Sequence, residues 1–150
     1  KGYPALLITK DNRARIEGPP FRNLDNVWTA VCGFTIVLQK SKVIPGVEAL
    51  HPRTAAGISA DGRWLILLVV DGRQARYSGG AKTAEIGSWL LAMGCAEGIN
   101  LDGGGTSTMV IEGRNGPQIL NRPIHAGIPG NERVAGSHLG LRAAPLRSAR

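Results

Sequence analysis

The 150 residues suit a single domain with a buried core, and 21 glycines with few aromatic residues indicate many turns. The longest apolar run, residues 64–70, is too short to cross a bilayer, which excludes a membrane-spanning segment. The net charge of +7 predicts affinity for anions, but the basic residues are scattered and not interleaved with aromatic side chains, so a nucleic-acid module is the weaker interpretation.

β-Structure dominates the predicted elements. Runs of β-branched and apolar residues between turn residues predict strands at residues 5–9, 13–17, 27–39, 54–59, 63–70, 98–101, 108–112, 118–120 and 137–142. Gly33 interrupts the third run, which is either one long strand or two. A turn at residues 60–62 joins the predicted strands 54–59 and 63–70 into a hairpin. The second arm of this hairpin, 63–70, is apolar on both faces and is therefore expected at the centre of the sheet.

One helix is predicted over residues 84–93. Its apolar residues recur at helical spacing on one face: Ile86, Trp89, Leu90 and Met93. Thr83 is the predicted N-cap, and Glu85 lies in the first turn, where a negative charge is favourable. The predicted fold class is therefore α+β, a mixed and largely antiparallel sheet with a packed helix.

The most distinctive segment is Asn100-Leu-Asp-Gly-Gly-Gly-Thr-Ser-Thr-Met109. Its three glycines allow positive φ angles and close approach to the backbone. Their N–H groups, together with the hydroxyls that follow, can form a nest for a phosphate. Asn100 and Asp102 add an amide and a carboxylate to the same loop. The alternative is a tight hairpin whose glycines solve only a steric problem.

Charged residues also follow or precede the predicted strands. Arg53 and Thr54 begin one strand, and Asp71 and Arg73 follow another, positions that combine a rigid scaffold with access to solvent. Planar guanidinium groups that can bind a phosphate in a bidentate way occur at Arg53, Arg73, Arg122 and Arg133.

Each of these residues also has an ordinary structural interpretation. Asp71 with the glycine after it is a common turn, and Glu85 is a typical charge for the start of a helix. His51 precedes a proline and is expected at the surface, while Arg122 and Arg133 can be solvated loop charges.

No cofactor or metal is predicted. Cys32 and Cys95 fit no metal spacing and form either one disulfide or two free thiols. The glycine patterns of dinucleotide and nucleotide phosphate loops are absent, so the triple glycine is not a site of those types.

The order of these motifs resembles the phosphodiester glycosidase family. The matching segments are His51-Pro-Arg-Thr-Ala-Ala-Gly57, Val70-Asp-Gly-Arg73, Thr83-Ala-Glu85, Asn100-Leu-Asp-Gly-Gly-Gly-Thr-Ser-Thr108 and Asn121-Arg-Pro123. The resemblance implies hydrolysis of the glycosidic bond of a sugar-1-phosphodiester, with a phosphorylated sugar or glycan as substrate. It also implies a secreted or cell-envelope location, as for relatives linked to exopolysaccharide metabolism.

The resemblance extends to individual residues. It implies a role in the chemistry for the carboxylates of Asp102, Asp71 and Glu85, without choosing among them. It implies substrate-binding roles for Arg53, Thr54, Arg73, Asn100, Gly103, Gly104, Gly105, Ser107, Thr108, Arg122 and Arg133.

This chain departs from the family at one end of the domain. Family members usually carry an upstream segment, so residues 1–150 are expected to form a phosphodiester glycosidase-like domain without it. An upstream fragment of the same precursor is then a possible partner. Two alternatives to the glycosidase remain, a non-catalytic domain that binds phosphoglycan or envelope material, and a metal-dependent phosphodiesterase that cleaves the P–O bond.

Overall fold

The computed structural model describes residues 2–143. In chain order the elements are β1 (Ala5–Thr9), β2 (Ala14–Glu17), β3 (Val27–Cys32), β4 (Thr35–Gln39), β5 (Lys42–Val43), β6 (Arg53–Ser59), β7 (Leu65–Val70), α1 (Thr83–Ala92), β8 (Cys95–Asn100), a 3-10 turn (Gly104–Thr106), β9 (Val110–Gly113), β10 (Gly116–Ile119), β11 (Ile124–His125) and β12 (Ile128–Pro129). These described strands pair antiparallel, and the α+β prediction is confirmed.

A five-stranded sheet with the order β5-β4-β8-β6-β7 forms the centre of the fold. One face packs against α1 through a cluster of buried residues, Val37, Leu38, Ala55, Ala81, Ile86, Leu90 and Cys95. The other face packs against the three-stranded sheet β2-β1-β3 through Leu6, Val31, Ala56, Ile58, Ile99 and Leu101. Because successive side chains of a strand point to opposite faces, β6 contributes Ala55 to one cluster and Ala56 to the other.

The position predicted for β7 is wrong. β7 lies at the edge of the sheet, since β6 has β8 as its second neighbour. Its residues are all half-buried. Ile66 and Leu68 pack against the helix-side cluster, while Leu65 and Leu67 pack against the opposite one. The strand is apolar on both faces because both faces of the sheet are covered, and this does not require a central position.

The start of α1 also differs from the prediction. Lys82 is the N-cap, and Thr83 is the first helical residue, buried against the loop at Val47. The Glu85 Oε2 atom accepts a hydrogen bond of 2.8 Å from the Lys82 backbone N–H. This contact satisfies one of the donors that a helix start leaves free.

The helix face is rotated from the one that apolar spacing predicts. The buried residues are Thr83, Ile86, Gly87 and Leu90, whereas Trp89 and Met93 are exposed. Gly87 lets the helix approach β4 closely, because a methyl group placed on it would clash with the Val37 carbonyl oxygen. The close contact between the backbones of α1 and β4, and not the size of the apolar side chains, therefore determines which face of the helix is buried.

The remaining predictions concern the ends of the sheet. The run 27–39 forms two strands, and Gly33 lies between β3 and β4. A methyl group on Gly33 would lie 2.6 Å from the Asn100 carbonyl oxygen, so the chain passes close to the end of β8 here. The predicted strand at 137–142 does not form, and Leu139 instead packs against the β1–β3 side of the core.

Cys32 and Cys95 are both free thiols. Within residues 2–143, no helix has the length and apolar character needed to cross a membrane.

Candidate functional site

The glycine loop, residues 100–109, leaves the end of β8 and packs against the start of β6. Gly104 has a φ of 67°, and its N–H donates to the Pro52 carbonyl oxygen at 2.9 Å. A methyl group on Gly103 would lie 2.8 Å from the same oxygen. The Gly103 N–H donates to Asp102 Oδ1 at 2.8 Å. Two of the predicted nest donors are therefore engaged within the protein, and these two glycines serve close packing of the backbone.

A cation cluster, His51, Arg53 and Arg73, lies beside the glycine loop. Arg53 is buried, and two of its nitrogen atoms donate to backbone carbonyls at 2.9 and 2.8 Å. Arg73 Nη2 lies 3.2 Å from His51 Nδ1, and a methyl group on Gly104 would lie 3.1 Å from Arg73 Nη1. Across residues 2–143 neither arginine forms a salt bridge. Arg73 thus brings positive charge next to Gly104, Arg53 adds a second charge beside Arg73, and neither has a carboxylate partner in these residues.

The cluster is electrostatically strained. Burial lowers the pKa of Arg53, and the neighbouring Arg73 lowers it further. Burial also lowers the pKa of His51, with smaller contributions from Arg73 and Arg53. A neutral His51 accepts from Arg73 at Nδ1 and carries its proton at Nε2. An anion bound here would relieve the repulsion between the two guanidinium groups.

Buried oxygen atoms without hydrogen-bond partners concentrate at the same loop. In the part of the chain that the structure describes, they are Thr54 Oγ1, Gln74 Oε1, Asn100 Oδ1 and Ser107 Oγ. Asn100 and Ser107 are almost fully buried, at 3% and 1% exposure. Each such atom costs about 1–3 kcal/mol if nothing pairs with it. Three of the four belong to residues that the sequence predicts to bind substrate, which makes them candidate ligand contacts.

Asp102 and Arg133 form an ion pair on the other side of the loop. Arg133 Nη2 lies 3.1 Å from Asp102 Oδ2, and both side chains are about half exposed. The Arg133 backbone N–H also donates to the Gly105 carbonyl at 3.0 Å. Both charged groups line a groove of 970 Å³, which Thr54 and Thr108 also line. The carboxylate is therefore oriented from two sides and still reachable from solvent.

The Asp71 carboxylate is occupied by donors from distant parts of the chain. Asn121 Nδ2 donates to Asp71 Oδ1 at 2.8 Å, and the Arg122 N–H donates to Oδ2 at 2.9 Å. The Tyr77 hydroxyl donates to Oδ2 at 3.0 Å, and the Arg122 guanidinium lies 5.3 Å from the Tyr77 ring centre. These four residues, Asp71, Tyr77, Asn121 and Arg122, are called the Asp71 cluster below.

Comparison with known proteins identifies the family. A model of the family described as phosphodiester glycosidase matches residues 1–142. The chain belongs to this family. It is 42% identical over 64 residues to the SPbeta prophage-derived uncharacterized protein YomE of Bacillus subtilis (strain 168), which covers 43% of this chain and 10% of that protein.

The fold is also similar to a solved structure, the zebrafish N-acetylglucosamine-1-phosphodiester alpha-N-acetylglucosaminidase catalytic domain auto-inhibited by pro-peptide. The TM-score is 0.63 at 23% identity, over 81% of this chain and 45% of that one. This likeness concerns the fold alone. The chain spans less than half the length of both relatives.

The structure brings together some of the predicted site residues of this family member and separates others. Arg53 and Arg73 lie with Gly103 and Gly104, and Asp102 lies with Arg133 and Gly105. The carboxylate of Glu85 instead contacts the start of its own helix. The Arg122 side chain stacks on a tyrosine.

Two residues of the site escaped the sequence-based prediction. His51 was expected at the surface, yet it contacts Arg73. A usable signal was its spacing, because residues two apart in extended chain share a face, and His51 precedes Arg53 by two. Asn121 bridges Asp71 to the glycine loop, a contact across 50 residues that local patterns do not reveal. Within the described residues no group of three His, Cys, Asp or Glu side chains has the arrangement of a metal site.

Proposed function

We propose that this chain hydrolyses the glycosidic bond of a sugar-1-phosphodiester from a phosphorylated glycan or cell-envelope substrate. The observation that carries the proposal is the pair Arg53 and Arg73, which carry positive charge beside the glycine loop without a carboxylate partner in residues 2–143. A phosphodiester carries a negative charge that both guanidinium groups can share. Family membership supports glycosidic rather than purely phosphoryl chemistry.

The phosphate contacts in this proposal come from side chains. Arg53 and Arg73 hold the phosphate oxygens with charge-assisted hydrogen bonds, and the Ser107 hydroxyl donates one more. A neutral His51 offers its Nε2–H to the same anion. The absence of a side chain at Gly104 keeps the approach to Arg73 open.

The sugar contacts use the unpaired oxygens. Asn100 Nδ2 donates to the Leu101 carbonyl at 3.0 Å, so its amide orientation is fixed and Oδ1 is left to accept. Sugar hydroxyls are donors and match this oxygen and Thr54 Oγ1. Thr54 also lines the groove, where there is room for the group attached to the phosphate.

In this proposal Asp102 performs the chemistry. The bond between the anomeric carbon and the phosphate oxygen breaks, and the phosphate monoester leaves as a stable anion, so little acid assistance is needed. Asp102 either removes a proton from the attacking water or attacks the anomeric carbon itself, giving a glycosyl ester that water then hydrolyses. The Gly103 N–H and Arg133 orient its carboxylate.

The test is product analysis in water labelled with heavy oxygen. Label in the released sugar, with activity that survives a chelator, is the expected result. Label in the phosphate product would mean P–O cleavage and would overturn the proposal. Tight binding of phosphoglycan without turnover would favour the non-catalytic alternative. The anomer of the first sugar product distinguishes base from nucleophile.

The proposal includes a secreted or envelope location and an upstream fragment of the same precursor as partner. Cell fractionation tests the location. Mass measurement of the natural protein, intact and after denaturation, tests whether a second fragment stays bound. A single cytoplasmic species would contradict both.

A further inference from the structure

Both oxygen atoms of the Asp71 carboxylate already accept hydrogen bonds. Oδ1 accepts from Asn121 Nδ2 and from the Arg122 N–H, at 2.8 and 3.1 Å. Oδ2 accepts from the Tyr77 hydroxyl and again from the Arg122 N–H, at 3.0 and 2.9 Å. A carboxylate that must take a proton or attack carbon needs an oxygen with a lone pair to spare, and each oxygen of Asp71 accepts two hydrogen bonds. Asp102 differs, because within residues 2–143 its Oδ2 accepts a hydrogen bond only from Arg133. The contacts of Asp71 instead suit a group that organises its donors.

Asn121 connects this carboxylate to the glycine loop. Its Oδ1 accepts from the Met109 N–H at 2.8 Å, and its Nδ2 donates both to Asp71 Oδ1 and to the Ser107 carbonyl at 2.7 Å. Both hydrogens and one oxygen lone pair of the amide are thereby used. The backbone on each side of Thr108 is thus held by one side chain.

The held segment carries a hydroxyl that lacks a partner. Ser107 Oγ is buried at 1% exposure and has no hydrogen-bond partner within residues 2–143, while the Ser107 carbonyl is fixed by Asn121. The direction of the hydroxyl follows from the backbone that carries it.

We propose that Asp71 and Asn121 are positioning residues that fix the Ser107–Met109 end of the glycine loop for contact with the substrate phosphate. The substrate named here rests on the function proposed above, whereas the positioning role is independent of which bond is cleaved. Asp71 thereby leaves the group of carboxylates assigned to the chemistry.

Paired substitutions in the full-length protein test this. N121D sets a carboxylate against Asp71 and against the Ser107 carbonyl, so we expect the Kd for inorganic phosphate to rise at least about tenfold. D71N keeps one oxygen for Asn121 and Arg122, and Tyr77 can accept from the new amide, so its Kd should rise only about twofold to fivefold. In the double variant D71N/N121D the new amide donates to the new carboxylate, and phosphate affinity should recover at least about threefold over N121D.

The matched control is the exposed pair Asn26 and Asp11, where Asn26 Nδ2 donates to Asp11 Oδ1 at 3.1 Å. N26D makes the same chemical change away from the loop and should leave phosphate affinity unchanged. Thermal unfolding of all variants separates loss of fold from loss of positioning. If N121D binds phosphate like the wild type, or if the double variant does not recover, the positioning role is wrong.

Kinetics separate positioning from chemistry. A positioning Asp71 predicts that D71N retains at least about a tenth of kcat and the wild-type shape of the kcat–pH profile. If D71N loses the acidic limb of the kcat–pH profile while its phosphate affinity is unchanged, Asp71 takes part in the chemistry itself. If the wild type releases no sugar, the proposed function fails, and phosphate affinity still tests positioning. If phosphate does not bind either, amide exchange at residues 103–109 must rise in N121D and recover in the double variant, or the proposal fails.

Discussion

The two sides of the glycine loop differ in how their charges are held. On the side of the cation cluster, called the arginine side, the buried Arg53 is fixed by two backbone carbonyls, and the exposed Arg73 contacts a histidine. On the groove side, Asp102 pairs with Arg133, and both are half exposed. Neutral partners leave the charge of Arg53 and Arg73 available for a ligand, whereas the ion pair balances its own charge. The arginine side therefore suits an anion, and the groove side admits water to a carboxylate.

The ion pair itself contributes little to stability. An exposed pair of this kind is worth about 0–1 kcal/mol, because water screens the attraction. Arg133 is then more important for the direction of the Asp102 carboxylate than for the fold. Binding and chemistry can be separated by substitutions on either side of the loop.

The largest effect is expected from D102N. The amide keeps the size of the side chain but can neither take up a proton nor attack carbon, so kcat should fall by about a thousandfold or more. The Kd for inorganic phosphate should change less than about threefold, because the arginine side is intact. Steady-state kinetics and calorimetry measure the two quantities. Equal losses in both would show that the two sides do not act separately.

A smaller effect is expected from G104A. Alanine at a φ of 67° is strained, and its methyl group would lie 3.1 Å from Arg73 Nη1. We expect a loss of about 1–2 kcal/mol in the free energy of unfolding and a phosphate Kd raised about tenfold. The matched control is G62A, at a φ of 70° with open space around it, which should lose similar stability and no affinity. Equal affinity in the two variants would mean that Gly104 does not govern access to Arg73.

The next effect concerns pH. The folded-state pKa of His51 lies below its ordinary value of 6.5, so the unfolded chain binds this proton more readily. Above pH 6.5 His51 therefore leaves the free energy of unfolding unchanged. As the pH falls below 6.5, protonation of His51 in the unfolded chain lowers the free energy of unfolding progressively. H51Q should lose less stability than the wild type between pH 7.5 and pH 5, measured by urea unfolding. An identical pH dependence in the two proteins would contradict a neutral, half-buried His51.

Several contacts of the candidate site could be predicted from the sequence because the residues that make them follow one another closely. The run from Asn100 to Thr108 predicts a loop whose backbone other groups can approach closely, and Arg53 and Arg73 lie near the ends of predicted strands. The contacts of Asp71 could not be predicted, since they depend on where the chain returns 50 residues later. The edge position of β7 was equally hidden, because coverage of both sheet faces produces the same apolar pattern as a central strand.

The smallest effect is expected from E85Q, at the helix side of the sheet and away from both sides of the loop. Glutamine can still accept from the Lys82 N–H, so only the favourable charge at the helix start is lost. The free energy of unfolding should fall by about 0.3–1 kcal/mol, and kcat and the phosphate Kd should match the wild type. A large loss of kcat at unchanged stability would assign Glu85 to the chemistry. The residues responsible for binding and chemistry would then include the start of the helix as well as the two sides of the glycine loop.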